Sequence, residues 1–165
     1  MIYVIDYGMG NLRSVTKAIE KLGGRVQLTS QPEDVKRADK LVLPGVGAFG
    51  DGCDELQRRG LFTPLREALR QDRPFLGICL GMQLLFEESE ESPKTKGLGV
   101  FRGKVRRFQS PEVKIPHMGW NQMRIKNREA PLLKGILDES YFYFVHSYYP
   151  APDEASLVAG TCQYG

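Results

Sequence analysis

Apolar and polar positions along this chain follow two regimes, strand–helix alternation up to about residue 92 and a succession of short strands after Gly97. The opening run Ile2-Tyr3-Val4-Ile5-Asp6 reads as a buried strand, and Tyr7-Gly8-Met9-Gly10-Asn11 as a tight turn after it. Leu12, Val15, Ile19 and Leu22 then recur at helical spacing, with Asn11 as the cap and Gly23-Gly24 as the stop. Arg25 to Thr29 alternates and predicts a second strand, Gln31 to Asp39 at most a modest surface helix, and Lys40 to Leu43 a third strand. That strand runs into Pro44 to Gly52, where four glycines predict a loop. Leu56, Leu61, Leu65 and Leu69 mark helix from about Asp54 to Arg70, interrupted at Gly60. Pro74 opens an apolar strand that stops at Cys79, and Leu80, Leu84 and Leu85 carry the chain on as helix. The acidic run Glu87 to Lys94 reads as a solvated helix end and loop. Strand-like pieces follow at Val100 to Phe108, Val113 to Ile115, Trp120 to Ile125, Tyr141 to Tyr149 and Ser156 to Tyr164. The order predicts an α/β fold, a mostly parallel sheet with an antiparallel extension.

Composition narrows the classes. A chain of 165 residues has material for one substantial core, and a split would leave each half marginal, so a single domain over 1–165 is expected. A net charge of +3 gives no electrostatic case for nucleic acid or a membrane surface. No apolar run is long enough to span a bilayer, and the N-terminus lacks a signal-peptide pattern. Cys53, Cys79 and Cys162 are odd in number and lack zinc-like spacing, which points to reduced thiols, a cytoplasmic protein and no metal. No cofactor motif is present. The turn at Gly8 and Gly10 lacks the third glycine of the dinucleotide fingerprint, since position 13 is Arg13.

The chemistry concentrates at Cys79. Gly77 and Gly81 flank it two residues away on each side, the nucleophile-elbow pattern with cysteine for serine. Small neighbours permit a strained strand-to-helix turn that holds the side chain out, and a following helix offers its N–H groups and positive end to a thiolate. Against this stands the plain reading of a buried core cysteine. The glycine-rich segment from Gly45 admits a second function: amide donors placed where negative charge develops as a thiolate attacks a carbonyl. Both segments end parallel strands and would meet on one sheet edge.

Pro44-Gly45-Val46-Gly47, Gly77-Ile78-Cys79-Leu80-Gly81-Met82-Gln83, Lys96-Gly97-Leu98-Gly99, Pro116-His117-Met118-Gly119-Trp120-Asn121 and Tyr143-Phe144-Val145-His146-Ser147-Tyr148 together resemble the class I, or triad, glutamine amidotransferases. Within that class the likeness is to the glutaminase subunits of histidine biosynthesis, and it extends from Ile2 to the last residue. The resemblance implies a three-layer α/β fold and a glutaminase in which Cys79 attacks the glutamine carboxamide to form a glutamyl thioester and release ammonia. It further implies that amides of Gly45, Val46, Gly47 and Leu80 hold the oxyanion. Gln83 and the main chain around His146, Ser147 and Tyr148 would hold the amino-acid end of glutamine. The implied partner is a (βα)₈-barrel cyclase subunit that uses the ammonia to make imidazole glycerol phosphate and an aminoimidazole carboxamide ribonucleotide. Met9, Gly10, Asn11 and Trp120 resemble parts of the docking surface for it.

One element of the family pattern has no counterpart. The general-base histidine and orienting glutamate of a His-Pro-Glu motif are absent, and the only histidines, His117 and His146, match other family positions. His117 is expected to order a turn near the partner face, and His146 to lie beside the glutamine site. The expectation is therefore a C-terminally truncated fold, inactive by itself and with apolar surface uncovered. Two other readings stay open: a non-catalytic module that binds a barrel partner, and another cysteine hydrolase of similar fold.

Overall fold

A computed structural model describes residues 1–165. Four strands, β1 (Ile2–Ile5), β2 (Val26–Thr29), β3 (Lys40–Gly45) and β4 (Phe75–Cys79), form a parallel sheet in the order β2-β1-β3-β4. The connections are α1 (Leu12–Lys21), α2 (Pro32–Arg37), and the pair α3 (Phe49–Arg58) and α4 (Phe62–Arg70). Local sequence accounts for several of the helix ends. The Asn11 side chain accepts from the Ser14 amide at 3.2 Å, and Gly23 leaves α1 at φ 81°. Pro32 starts α2, with Glu33 and Asp34 in its first turn and Lys36 and Arg37 in its last, a charge order that suits the helix dipole. Gly60, at φ 68°, separates α3 from α4.

The main core lies between this sheet and α2, α3 and α4. Ile5, Leu41 and Leu43 meet Val35, Leu56, Leu61 and Leu65, all close to fully buried. Burial of a leucine of this kind contributes about 1.5–3 kcal/mol. α1 is amphipathic but buries no residue completely. No helix is long and apolar enough to cross a membrane.

The segment 44–52 is not one loop. Pro44 and Gly45 belong to β3, because β4 runs alongside them with Pro44 opposite Ile78 and Gly45 opposite Cys79. α3 starts at Phe49 because chain far away caps it: Glu91 Oε2 accepts from the Phe49 amide at 2.7 Å, and Ser92 Oγ from the Gly50 amide at 3.1 Å. Only Val46 to Ala48 remain outside regular structure.

The elbow helix is also shorter than its leucine pattern predicts. α5 covers only Leu80–Gln83, and β5 (Phe86–Ser89) follows inside the acidic run expected as helix end and loop. Phe86 and Ser89 are buried there, and Glu88 pairs with Lys104 at 3.0 Å and with Lys96. These two lysines lower the Glu88 carboxyl to about 2.

β5 pairs in parallel with β6 (Phe101–Arg107), which pairs antiparallel with β9 (Tyr148–Pro152). A third sheet joins β7 (His117–Ile125) to β8 (Ser140–His146) and to β10 (Gly160–Thr161). Val113 to Ile115 forms no strand, and β7 starts at His117 rather than Trp120. The piece expected from Tyr141 to Tyr149 breaks at Ser147, where the chain leaves one sheet for another, since β8 pairs with β7 and β9 with β6. Of Ser156 to Tyr164 only Gly160–Thr161 is strand.

Candidate active site

Cys79 ends β4 with φ 53° and ψ −114°, a conformation that costs a residue with a side chain about 1–3 kcal/mol. Packing enforces it. A Cβ on Gly77 would lie 2.7 Å from the Met82 nitrogen, and one on Gly81 would collide with the Leu43 carbonyl oxygen. The two glycines let the backbone fold back on β3 while the cysteine is turned out, and Cys79 is the exposed cysteine. Cys53 is buried in the core, where burial pushes its thiol up to about 12. The expected support from a long helix is reduced, because one turn aligns few peptide dipoles.

β3 brings Gly45 directly beside Cys79 in register. The amides of Val46 and Gly47, just beyond, donate to no backbone carbonyl. Gly47 takes φ 110°, which glycine alone tolerates easily. Gly45 is required by contact, because the hydroxyl of the buried Tyr7 occupies the space a side chain would fill. That hydroxyl has no hydrogen-bond partner, and burial raises its pKa.

A cavity of about 730 Å³ is lined by Cys79 together with Gln83, Phe108, His117, His146 and Tyr148 among others. Gln83 is 9% exposed, and its Nε2 donates to the Tyr148 carbonyl at 3.3 Å. Two of the residues expected at the amino-acid end, His146 and Tyr148, thus share the cavity with Cys79 and Gln83. Ser147 is not in the lining; its carbonyl accepts the Phe108 amide at 3.1 Å. Gly45, Val46, Gly47 and Leu80 border Cys79 along the chain or the ladder but do not line the cavity either.

His117 does not order a turn as its motif suggests. It is 4% exposed inside the cavity and pairs with His146 across the β7–β8 ladder, Nδ1 to Nε2 at 3.0 Å. Only the register of two strands 29 residues apart reveals this, although His-X-X-X-Asn in one strand and a lone His in the next hinted at a polar cluster. Cys162, with no assigned role in sequence, also lines the cavity.

The turn Met9-Gly10-Asn11 abuts the same segment from the other side. A Cβ on Gly10 would touch Pro44 at 3.4 Å, and one on Gly47 would lie 2.7 Å from the Met9 methyl. Trp120 is 69% exposed on the outer face of the β7–β8 hairpin and meets Tyr143 edge-on at 5.7 Å.

Comparison with known proteins adds an independent line. The family model described as glutamine amidotransferase class-I matches residues 3–164. Imidazole glycerol phosphate synthase subunit HisH of Syntrophotalea carbinolica is 52% identical over 171 residues, aligning 100% of this chain with 82% of its own length. The protein of that name from Rhodopirellula baltica is 49% identical over 166 residues, 100% of this chain and 80% of its own. Among solved structures, PurLQS from Thermotoga maritima superposes with a TM-score of 0.74 at 17% identity, over 99% of this chain and 74% of that one. A crystal structure of a glutamine amidotransferase gives 0.70 at 17% identity, over 93% and 75%. At such identity these two speak for the fold alone.

Proposed function

Because the chain belongs to the class-I glutamine amidotransferases, we propose that it is the glutaminase subunit of an imidazole glycerol phosphate synthase, working in the cytoplasm. The observation that carries the proposal is the strained, outward-turned Cys79 in one cavity with Gln83, joined to identity of about half with curated subunits of that synthase.

Cys79 Sγ attacks the side-chain carbonyl carbon of glutamine, and the carbonyl oxygen takes up the electron pair. Amides of Val46 and Gly47, with that of Leu80, are the donors for this oxyanion, each such donor contributing about 3–4 kcal/mol in comparable sites. Collapse breaks the carbon–nitrogen bond and releases ammonia, and water then cleaves the thioester to glutamate and the free thiol. Gln83 and the main chain around His146, Ser147 and Tyr148 hold the amino-acid end. Ammonia passes to a (βα)₈-barrel cyclase subunit, which docks against Met9 to Asn11 and the Trp120 face. Both contacts adjoin the site, one through Gly47 and the other through the hairpin that carries His117. A thiol proton must also be accepted, and the family pattern gives that task to a His-Pro-Glu histidine rather than to His117 or His146.

The test is covalent. A diazoketone analogue of glutamine should add once, at Cys79, with glutamine protecting and Cys79→Ala removing the label. Labelling elsewhere, or no protection by millimolar glutamine, would refute the assignment.

A further inference from the structure

The cavity holds a hydrogen-bond chain whose direction can be worked out. His146 Nδ1 lies 2.9 Å from the Tyr148 carbonyl, His117 Nδ1 lies 3.0 Å from His146 Nε2, and Asn121 Nδ2 lies 3.3 Å from His117 Nε2. A carbonyl only accepts, so His146 carries its proton on Nδ1. Its bare Nε2 must then accept, so His117 also carries its proton on Nδ1, and the bare Nε2 of His117 accepts from Asn121. Asn121 cannot turn round to reverse the order. Its Oδ1 accepts the Gln122 amide at 2.8 Å, and its Nδ2 also donates to the Gln163 carbonyl at 3.0 Å. A charged ring breaks the pattern: a proton on His146 Nε2 would push the His117 proton to Nε2, against the N–H donor of the Asn121 carboxamide. Burial holds His117 below its ordinary value, and the nearness of a second imidazole, His146, acts in the same sense. Both rings are further fixed by stacking, His117 between Phe144 at 4.8 Å and Tyr164 at 3.9 Å, and His146 edge-on to Phe108 at 5.1 Å.

The chain ends on the carbonyl that also receives Gln83. With His146 on one lone pair of the Tyr148 oxygen and Gln83 Nε2 on the other, the Gln83 carboxamide is held one way round, its Oε1 left to accept from the substrate. We propose that Asn121, His117 and His146 form an uncharged, one-directional relay that aims Gln83 through the Tyr148 carbonyl, making His117 a positioning residue for the amino-acid end of glutamine. The proposal rests on the glutamine-site reading above. It also gives both nitrogens of His146 a structural task and so removes it as a base.

Two measurements on the 165-residue chain separate the possibilities. Nitrogen-15 imidazole spectra at pH 8 should show both rings as the Nδ1–H tautomer, the minority form of free histidine; an Nε2–H tautomer at either ring overturns the relay. Titration of Cys79→Ser with glutamine should then shift the Gln83 side-chain amide signals. His117→Phe should weaken that binding about tenfold, the scale of one lost hydrogen bond. His117→Asn, which can restore a donor toward His146, should recover most of it. Equal affinity in the Phe variant and the parent overturns the positioning role. Correct tautomers with no response to glutamine in the parent would instead overturn the glutamine site, and the proposal with it. The tautomer result stands on the unsubstituted chain, so it decides even if a variant does not fold.

Discussion

The parallel sheet with α2 to α4 and the β7–β8 hairpin are built from similar proportions of apolar residues but use them in opposite ways. All of the 18-residue core cluster except Leu98 and Val105 comes from the first 86 residues. On the outer face of the hairpin Met118, Trp120, Tyr141, Tyr143 and Val145 are each more than half exposed. Register makes this a continuous stripe, with Met118 opposite Val145, Trp120 opposite Tyr143 and Gln122 opposite Tyr141. The first region spends its apolar residues on its own stability. The second presents them, as the docking face proposed for this hairpin requires. The site lies at the join, with Cys79 supplied by the rigid region and the His117–His146 pair by the presenting one.

Four experiments would break or sharpen this contrast. Gly81→Ala drives a methyl into the Leu43 carbonyl between two core elements, and should cost more than about 3 kcal/mol and leave no cooperative melt. A folded variant would mean that the elbow is softer than its contacts indicate. Leu65→Ala in the core should cost about 2–5 kcal/mol, whereas Val145→Ala on the exposed stripe should change the urea midpoint by less than about 0.5 kcal/mol equivalent. Comparable losses would erase the distinction between the two regions. Cys79→Gly releases the strain at φ 53° while adding chain entropy, so it should raise stability by about 1 kcal/mol as it abolishes labelling by the glutamine analogue. Unchanged or lower stability would show that the elbow stores no strain.

The fourth and smallest effect is in pH. His117 is held below its unfolded value, so the unfolded chain binds its proton more readily. The hairpin's contribution is therefore complete above about pH 6.5 and declines as pH falls below it. In the parallel region Glu55 is lowered to about 2 by Arg58 and Arg59, so its contribution is lost only as pH falls below the usual glutamate range toward 2. Hydrogen exchange resolved by segment should show the hairpin loosening between pH 7 and 5 while β1, β3 and β4 stay protected. Simultaneous loosening would sink the idea of separate windows.

Some of this was written in local sequence, and some was not. The strand–helix alternation to residue 79, the Asn11 cap, the glycine breaks at 23 and 60 and the Gly77-X-Cys79-X-Gly81 elbow each depend on residues within a few positions of one another. Propensity, capping and sterics therefore suffice to place them. The start of α3 at Phe49 could not be read that way, because its amides are capped by Glu91 and Ser92, 42 residues on. The acidic run became strand because β6 offered it a ladder, and α5 stopped after one turn so that Phe86 could enter the core. The role of His117 was hidden for the same reason. The sequence by itself determined the family, the proposed nucleophile Cys79 and the glycines that expose it. Register alone decided that His117 and His146 meet in the cavity beside that cysteine, because a cross-strand pair is set by the ladder and leaves no mark at fixed spacing in the chain.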